Sequence, residues 1–407
     1  MKKILFIGHT FPEPNTTAAG SRTLQLIRLF KDYDFTITFA STAQKTRFSD
    51  TKTLADIKTV SVKINDGSFN VFVLDLAPDI IVYDRFITEE QFGWRVRGNC
   101  PDALQILDTQ DLHFLRKTRQ ESLKNNIATS EANLFTEIAK REIASILRCD
   151  LSLIISEYEM QLLQEKFNIN ASLLHYLPFL IEEFSTHTPN FYQRSHFFTI
   201  GNFLHKPNLD SVIWLKKEIW KKIRKKTPMA QLHIYGAYMP QQIKEFHNTK
   251  EGFIIKGWTS SVSKTMQHYK VCLTPLRFGA GLKGKIIDAM VNGTPVVTTH
   301  IGAEGIANTN EFCGKIANRG EELVSASVTL YAQEEQWQQA QRNGFNTIKN
   351  RFLKQHFIQE FYSKIKEIQK NLSQHRNSNF IGQILQHNTL QSTKYLSKWI
   401  EEKNKNR

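Results

Sequence analysis

The chain has 407 residues, enough for two domains of ordinary size, and its 41% apolar content excludes a disordered composition. Its 53 Lys and Arg outweigh 39 Asp and Glu, and the formal charge of +14 implies an acidic partner: a polyphosphate, an anionic membrane surface or a nucleic acid. Cys100, Cys149, Cys272 and Cys313 form no C-x-x-C pair and read as free thiols in a reducing compartment. The apolar run after Lys3 is too short for a signal peptide and none later matches a membrane span, so a cytoplasmic protein is expected.

Residues 4–8 read as a buried strand, followed by a Pro/Gly/Asn loop over 9–20. In that loop Gly20 allows close approach to a ligand, or stands beside Ser21 as the cap of the next helix. A helix over 22–33 carries Leu24, Ile27 and Phe30 at helical spacing, and a strand over 35–40 completes a βαβ unit. Asp32-Tyr33-Asp34 reads as a solvated turn. Further strands are expected over 80–83 and 103–107, with an aromatic and charged stretch, 83–94, as a place for an acceptor. After 107, Asp111 reads either as part of a site with Asp108 and His113 or as the N-cap of a long helix over 112–147. A strand over 151–156, a helix to 167 and a strand over 171–177 follow. Strands alternating with helices argue for a doubly wound parallel sheet.

The polar, proline-broken stretch 178–195 marks a domain boundary. The pattern restarts with a strand over 197–201 and a loop holding Asn202, His205 and Lys206, where Pro207-Asn208 reads as a helix start. A helix over 208–225 includes the lysine-rich 216–226, whose Trp214, Ile219, Trp220 and Ile223 stripe is expected to pack on its own sheet. Those lysines could also draw the protein to an anionic bilayer. Strands over 231–236, 253–257 and 271–274 lead to a turn with Gly279, Gly281 and Gly284 among Arg277, Lys283 and Lys285. A helix over 286–291 and a strand over 295–299 follow. Glycines between a strand and a helix let backbone N–H groups approach an anion, and the helix start adds partial positive charge. Lys283 is the first candidate for such an anion because it lies in the turn, with Lys285 expected to point away. Asp288, on the helix, suits a ribose hydroxyl. A strand over 312–317, two long polar helices to 371, a break at 375–378 and an amphipathic segment over 380–400 complete the chain.

The string GLKGKIIDAMVNGTPVVTT, through Asp288-Ala289-Met290 and Gly293-Thr294-Pro295-Val296-Val297, resembles the nucleotide-sugar segment of family 4 (group 1) glycosyltransferases of the GT-B fold. The resemblance implies an α/β chain of two Rossmann-like domains facing a cleft. It divides the chain into an acceptor-side domain over 1–185, a nucleotide-sugar domain over 186–350, and helices over 351–407 that cross back toward the first. It implies transfer of a sugar from a nucleotide diphosphate to a hydroxyl of a glycan or lipid-linked glycan, with retention and without a metal or other cofactor. Nucleic acid is then no partner. Carried over by position, Gly20, Asn202, Lys206, Gly281, Lys283 and Asp288 bind the donor, and Lys283, Arg277 and Asp111 serve the reaction. Five family positions differ: Ala19 replaces the first of two glycines, Gln110 a histidine, Asn202 an arginine, Ala280 the first acid of an E-x7-E pair, and Asp288 its second glutamate. A sugar-nucleotide epimerase or hydrolase, and a non-catalytic polyanion or membrane binder, are the alternatives.

Overall fold

The computed structural model describes residues 2–50, 52–387, 395, 396, 399 and 403. Its first lobe holds β1 (Lys3–Gly8), β2 (Thr36–Ser41), β3 (Lys58–Ser61), β4 (Ile80–Asp84), β5 (Leu104–Asp108), β6 (Leu151–Ile154) and β7 (Leu174–Tyr176). These pair in the order β3-β2-β1-β4-β5-β6-β7, all parallel. The second lobe holds β8 (Ser195–Ile200), β9 (Leu232–Tyr235), β10 (Phe253–Gly257), β11 (Tyr269–Thr274), β12 (Val296–Thr298) and β13 (Gly314–Ile316). Their order is β10-β9-β8-β11-β12-β13, again all parallel. Runs such as IIVYD in β4 are buried throughout because helices cover both faces of such a sheet. Winding reverses between β1 and β4 in one lobe and between β8 and β11 in the other, so each lobe opens a crevice beyond its strand ends there.

The helices that shape the cleft are α1 (Ala18–Lys31), α2 (His113–Lys124), α3 (Glu137–Arg148), α4 (Glu157–Phe167), α5 (Lys206–Trp214) and α6 (Gly284–Val291). After these, α7 (Ile358–Lys370) returns to the first lobe, where Phe361, Tyr362, Ile365 and Ile368 share a core with Phe6, Leu24 and Phe30.

Several local expectations are corrected. The helix over 112–147 is two helices: α2 stops at Asn125-Asn126, where Asn126 takes φ 55°, and α3 restarts on Thr136, whose hydroxyl accepts from Ala139 N. Thr17, rather than Ser21, caps α1 by accepting from Gly20 N at 2.9 Å. The expected break at 375–378 is the helix Leu372–Ser378, whose Arg376 binds Asp150 at 2.7 Å and docks under the first lobe. The polar stretch to 371 contains three helices, Gly320–Ala332, Glu334–Arg351 and α7. The expected segment 380–400 is described as the helix Phe380–His387; most of its remainder lies outside the described residues. The stripe Trp214, Ile219, Trp220 and Ile223 is buried in the second lobe's own core, and its chain passes through a π-helical turn, Leu215–Ile219. Among the described residues, no helix is long and apolar enough to cross a membrane.

Candidate active site

Side chains after β11 reach across the second lobe's crossover to α5 in two places, Arg277 to Asp210 and Lys285 to Asn208. Lys285 Nζ, on the segment after β11, donates to Asn208 Oδ1, on the segment after β8, at 2.7 Å. Asn202 shapes the β8 loop: its Oδ1 accepts from Leu204 N at 2.8 Å, and its carbonyl accepts from Asn208 Nδ2 at 2.7 Å. A methyl group on Gly201 would lie 2.6 Å from the Asn208 side chain and 2.9 Å from Lys285 Nζ, so this glycine lets the two segments meet.

On α6, Ile286, Ile287, Ala289 and Met290 are buried, which turns Lys285 and Asp288, three apart, onto the other face. Asp288 is exposed to water yet closely surrounded, and desolvation pushes its carboxyl up to about 7. Desolvation likewise lowers Lys285 to about 8. His205 is also water-exposed, and desolvation reinforced by Arg116 depresses it to about 3. His205 lies close enough to Lys285 in its own lobe and to Arg116 and Asp111 in the first lobe to feel their charges. Lys206 is exposed at the start of α5.

The first lobe supplies the opposite wall. Asp108, at the end of β5, pairs with buried Arg22 at 2.7 Å. Gln110 takes φ 64° and donates to Asp84 Oδ1 at 3.1 Å. Asp111 binds the Arg116 guanidinium and stands 3.3 Å from His113 Nε2. Burial opposes its charge, but Arg116 and His113 overcome that and hold the carboxyl well below its usual range. Burial lowers His113 to about 4, so its imidazole is neutral at neutral pH.

Asp111 does not cap α2. The first N–H groups there go to two buried glutamates: Leu112 N to Glu159 Oε1 at 3.1 Å, and His113 N and Phe114 N to the Glu142 oxygens at 3.1 and 2.9 Å. Burial pushes Glu142 up to about 8; burial, then the charge of Asp111, raises Glu159 to about 7.

The glycine bend is corrected as well. A methyl group on Gly281, where φ is +62°, would lie 2.8 Å from Asp111 Cβ, and one on Gly284 would lie 2.7 Å from Ala18 Cβ. These glycines admit the other lobe rather than an anion, and Gly281 N already donates to Glu159 Oε1 at 2.7 Å. Lys283 is buried, with Nζ folded back onto Gly281 O at 2.7 Å. Arg277 lies over the Trp214 ring and is neutralised by Asp210, at 2.9 and 2.5 Å. Gly20 also serves packing, since a methyl group there would lie 2.5 Å from Glu13 N. Lys285, expected to point away, turns toward Asn208 and the loop after β8. Its i,i+3 relation to Asp288 was visible in the sequence, whereas nothing marked Glu159, Glu142 or Arg119. Among the described residues, no three His, Cys, Asp or Glu side chains are grouped to hold a metal ion.

Two parallel, doubly wound sheets facing one cleft define an α/β chain of the GT-B type. Residues 194–333 match the family described as glycosyl transferases group 1. A Klebsiella pneumoniae protein, described as an uncharacterized 44.6 kDa protein in the cps region, is 29% identical over 157 residues. That match spans 37% of this chain and 37% of that relative's length. Staphylococcus aureus TarM, solved with fondaparinux, alpha-GlcNAc-glycerol and UDP, superposes with a TM-score of 0.71 at 12% identity, covering 89% of this chain and 99% of TarM. Anabaena HepE, solved with UDP and glucose, gives 0.66 at 14% identity, covering 90% and 100%. Residues 194–333 are thus similar to the glycosyl transferases group 1, and the chain shares the overall fold of TarM and HepE.

Proposed function

We propose that the protein transfers a sugar from a nucleoside diphosphate to a hydroxyl of a glycan or lipid-linked glycan, with retention and without a metal. The observation that carries this reading is the Lys285–Asn208 contact across the second lobe's crossover, with Asp288 one turn further along the same face. Ligands of open α/β sheets bind at such crossovers. The UDP and sugars named for TarM and HepE lend support.

In this reading Lys285 and the start of α6 receive the diphosphate, Asp288 accepts from a ribose hydroxyl, and His205 and Lys206 border the phosphates. The bond from the anomeric carbon to the phosphate oxygen breaks with its electron pair going to the diphosphate. The acceptor oxygen forms the new bond on the same face, and its proton passes to the departing phosphate oxygen. Lys285, preorganised by Asn208, stabilises the charge that develops there. Asp111, tied to Arg116, faces the sugar from the other lobe. The four free cysteines suit a cytoplasmic setting, and peripheral contact with anionic lipid belongs to the same proposal.

A thermal-shift series with UDP, GDP and ADP and their sugars tests this. One nucleotide at about a hundred times its dissociation constant should add about 2.7 kcal/mol of stability. No shift with any of them, alongside unchanged binding to polyanions, would leave the non-catalytic binder. Donor consumption without acceptor would favour a hydrolase or epimerase.

A further inference from the structure

The glycine bend belongs to the second lobe, yet its polar backbone groups are held by buried side chains of the first. Glu159, on α4, is fully buried, and its Oε1 accepts from Leu112 N in its own lobe at 3.1 Å and from Gly281 N across the cleft at 2.7 Å. Its Oε2 has no hydrogen-bond partner. Arg119, on α2 and nearly buried, donates from Nη1 to Gly279 O at 2.9 Å. The same guanidinium grips both oxygens of Glu304 in the second lobe, at 2.9 and 2.7 Å. A carboxyl oxygen on the N–H at 281 and a guanidinium on the carbonyl at 279 thus fix both ends of a three-residue bend. Neither holding group is in the lobe that the bend belongs to.

We propose that Glu159 and Arg119 are positioning residues that make the donor site conditional on lobe closure. The chain runs from Gly281 through Leu282 and Lys283 directly into α6, which begins at Gly284. The direction of that helix start, and of Lys285 on its first turn, therefore follows the bend. With the lobes apart, Gly281 N and Gly279 O lose their partners, and Glu159 is left with one backbone donor. The bend then relaxes, and the pocket for phosphate loses its shape. A donor reaching the closed form meets a formed site, while one reaching an open form must close it at a cost in affinity. This rests on the reading that α6 and Lys285 receive the diphosphate.

The test uses the full chain and three variants: Glu159→Ala, Arg119→Met, and Glu159→Gln, which keeps an acceptor oxygen. Solution X-ray scattering without ligand reports closure, and titration with the nucleoside diphosphate selected by thermal shift reports the site. Both truncating variants should give a larger radius of gyration and about tenfold weaker nucleotide binding, while Glu159→Gln stays near wild type. Turnover at saturating donor should change less than twofold, because bound donor restores closure, so the loss appears in KM for donor. Wild-type scattering and affinity in both truncating variants would overturn the proposal, as would an equal loss of kcat. If one truncating variant fails to fold, the other decides by the same criteria. Absence of nucleotide binding by the wild type would strike the donor reading itself, and the scattering comparison would still judge the clasp.

Discussion

Lys283 and Lys285 are two residues apart and belong to different worlds. The bend that carries Lys283 is packed against the first lobe: its N–H and carbonyl groups are taken by Glu159 and Arg119, and Nζ of Lys283 closes on Gly281 O. Lys285 starts the exposed face of α6, meets Asn208 across the crossover and shares that face with Asp288. The difference teaches that glycines beside a strand end mark close approach without saying of what. Here the approaching group is the facing lobe. Helical periodicity then separates the cation that packs from the cation that is free to meet a ligand.

The sharpest way to break this comparison is to neutralise each lysine in turn. Lys285→Met should lower donor-dependent turnover about 10²- to 10³-fold, the usual cost of losing one preorganised group at a developing oxyanion. Lys283→Met should cost less than about tenfold and show itself mainly in melting temperature. Equal losses in an assay of sugar transfer would erase the distinction.

Asp288→Asn sharpens the same comparison on the next turn. Loss of a charge-assisted hydrogen bond should weaken nucleotide binding about tenfold, roughly 1.5 kcal/mol. In the wild type, affinity should fall below about 7 as Asp288 takes up a proton and above about 8 as Lys285 loses one. The Asn variant should keep only the alkaline limb. Calorimetric titration across that range reads both effects.

The smallest effect concerns the wall opposite. Glu142 has its carboxyl raised from 4.5 to about 8, so the folded protein holds a proton that the unfolded chain releases. Its contribution to stability is therefore present below 4.5 and declines as pH rises through about 8. Glu142→Gln keeps one acceptor oxygen and has no proton to lose, so its melting temperature relative to wild type should be a few degrees higher at pH near 9 than near pH 4.

Most of the fold was legible because buried parallel strands read as short apolar runs. The restart after 195 gave the second lobe, while β3, KTVS, was too short and polar to stand out. The helix boundary near 125 escaped because Asn125-Asn126 interrupts a pattern that is otherwise helical on both sides. At the site, Asp288 and the motif around it were readable from local spacing. The roles of Glu159, Arg119 and Glu304 were not, because each depends on a contact between lobes more than a hundred residues apart in sequence.

The most direct test of the central claim is a calorimetric titration of the selected nucleoside diphosphate into wild type, Lys285→Met and Lys283→Met at pH 7.5. The account predicts binding that survives in the Lys283 variant and falls at least tenfold in the Lys285 variant. Loss in the Lys283 variant with binding retained in the Lys285 variant would contradict it.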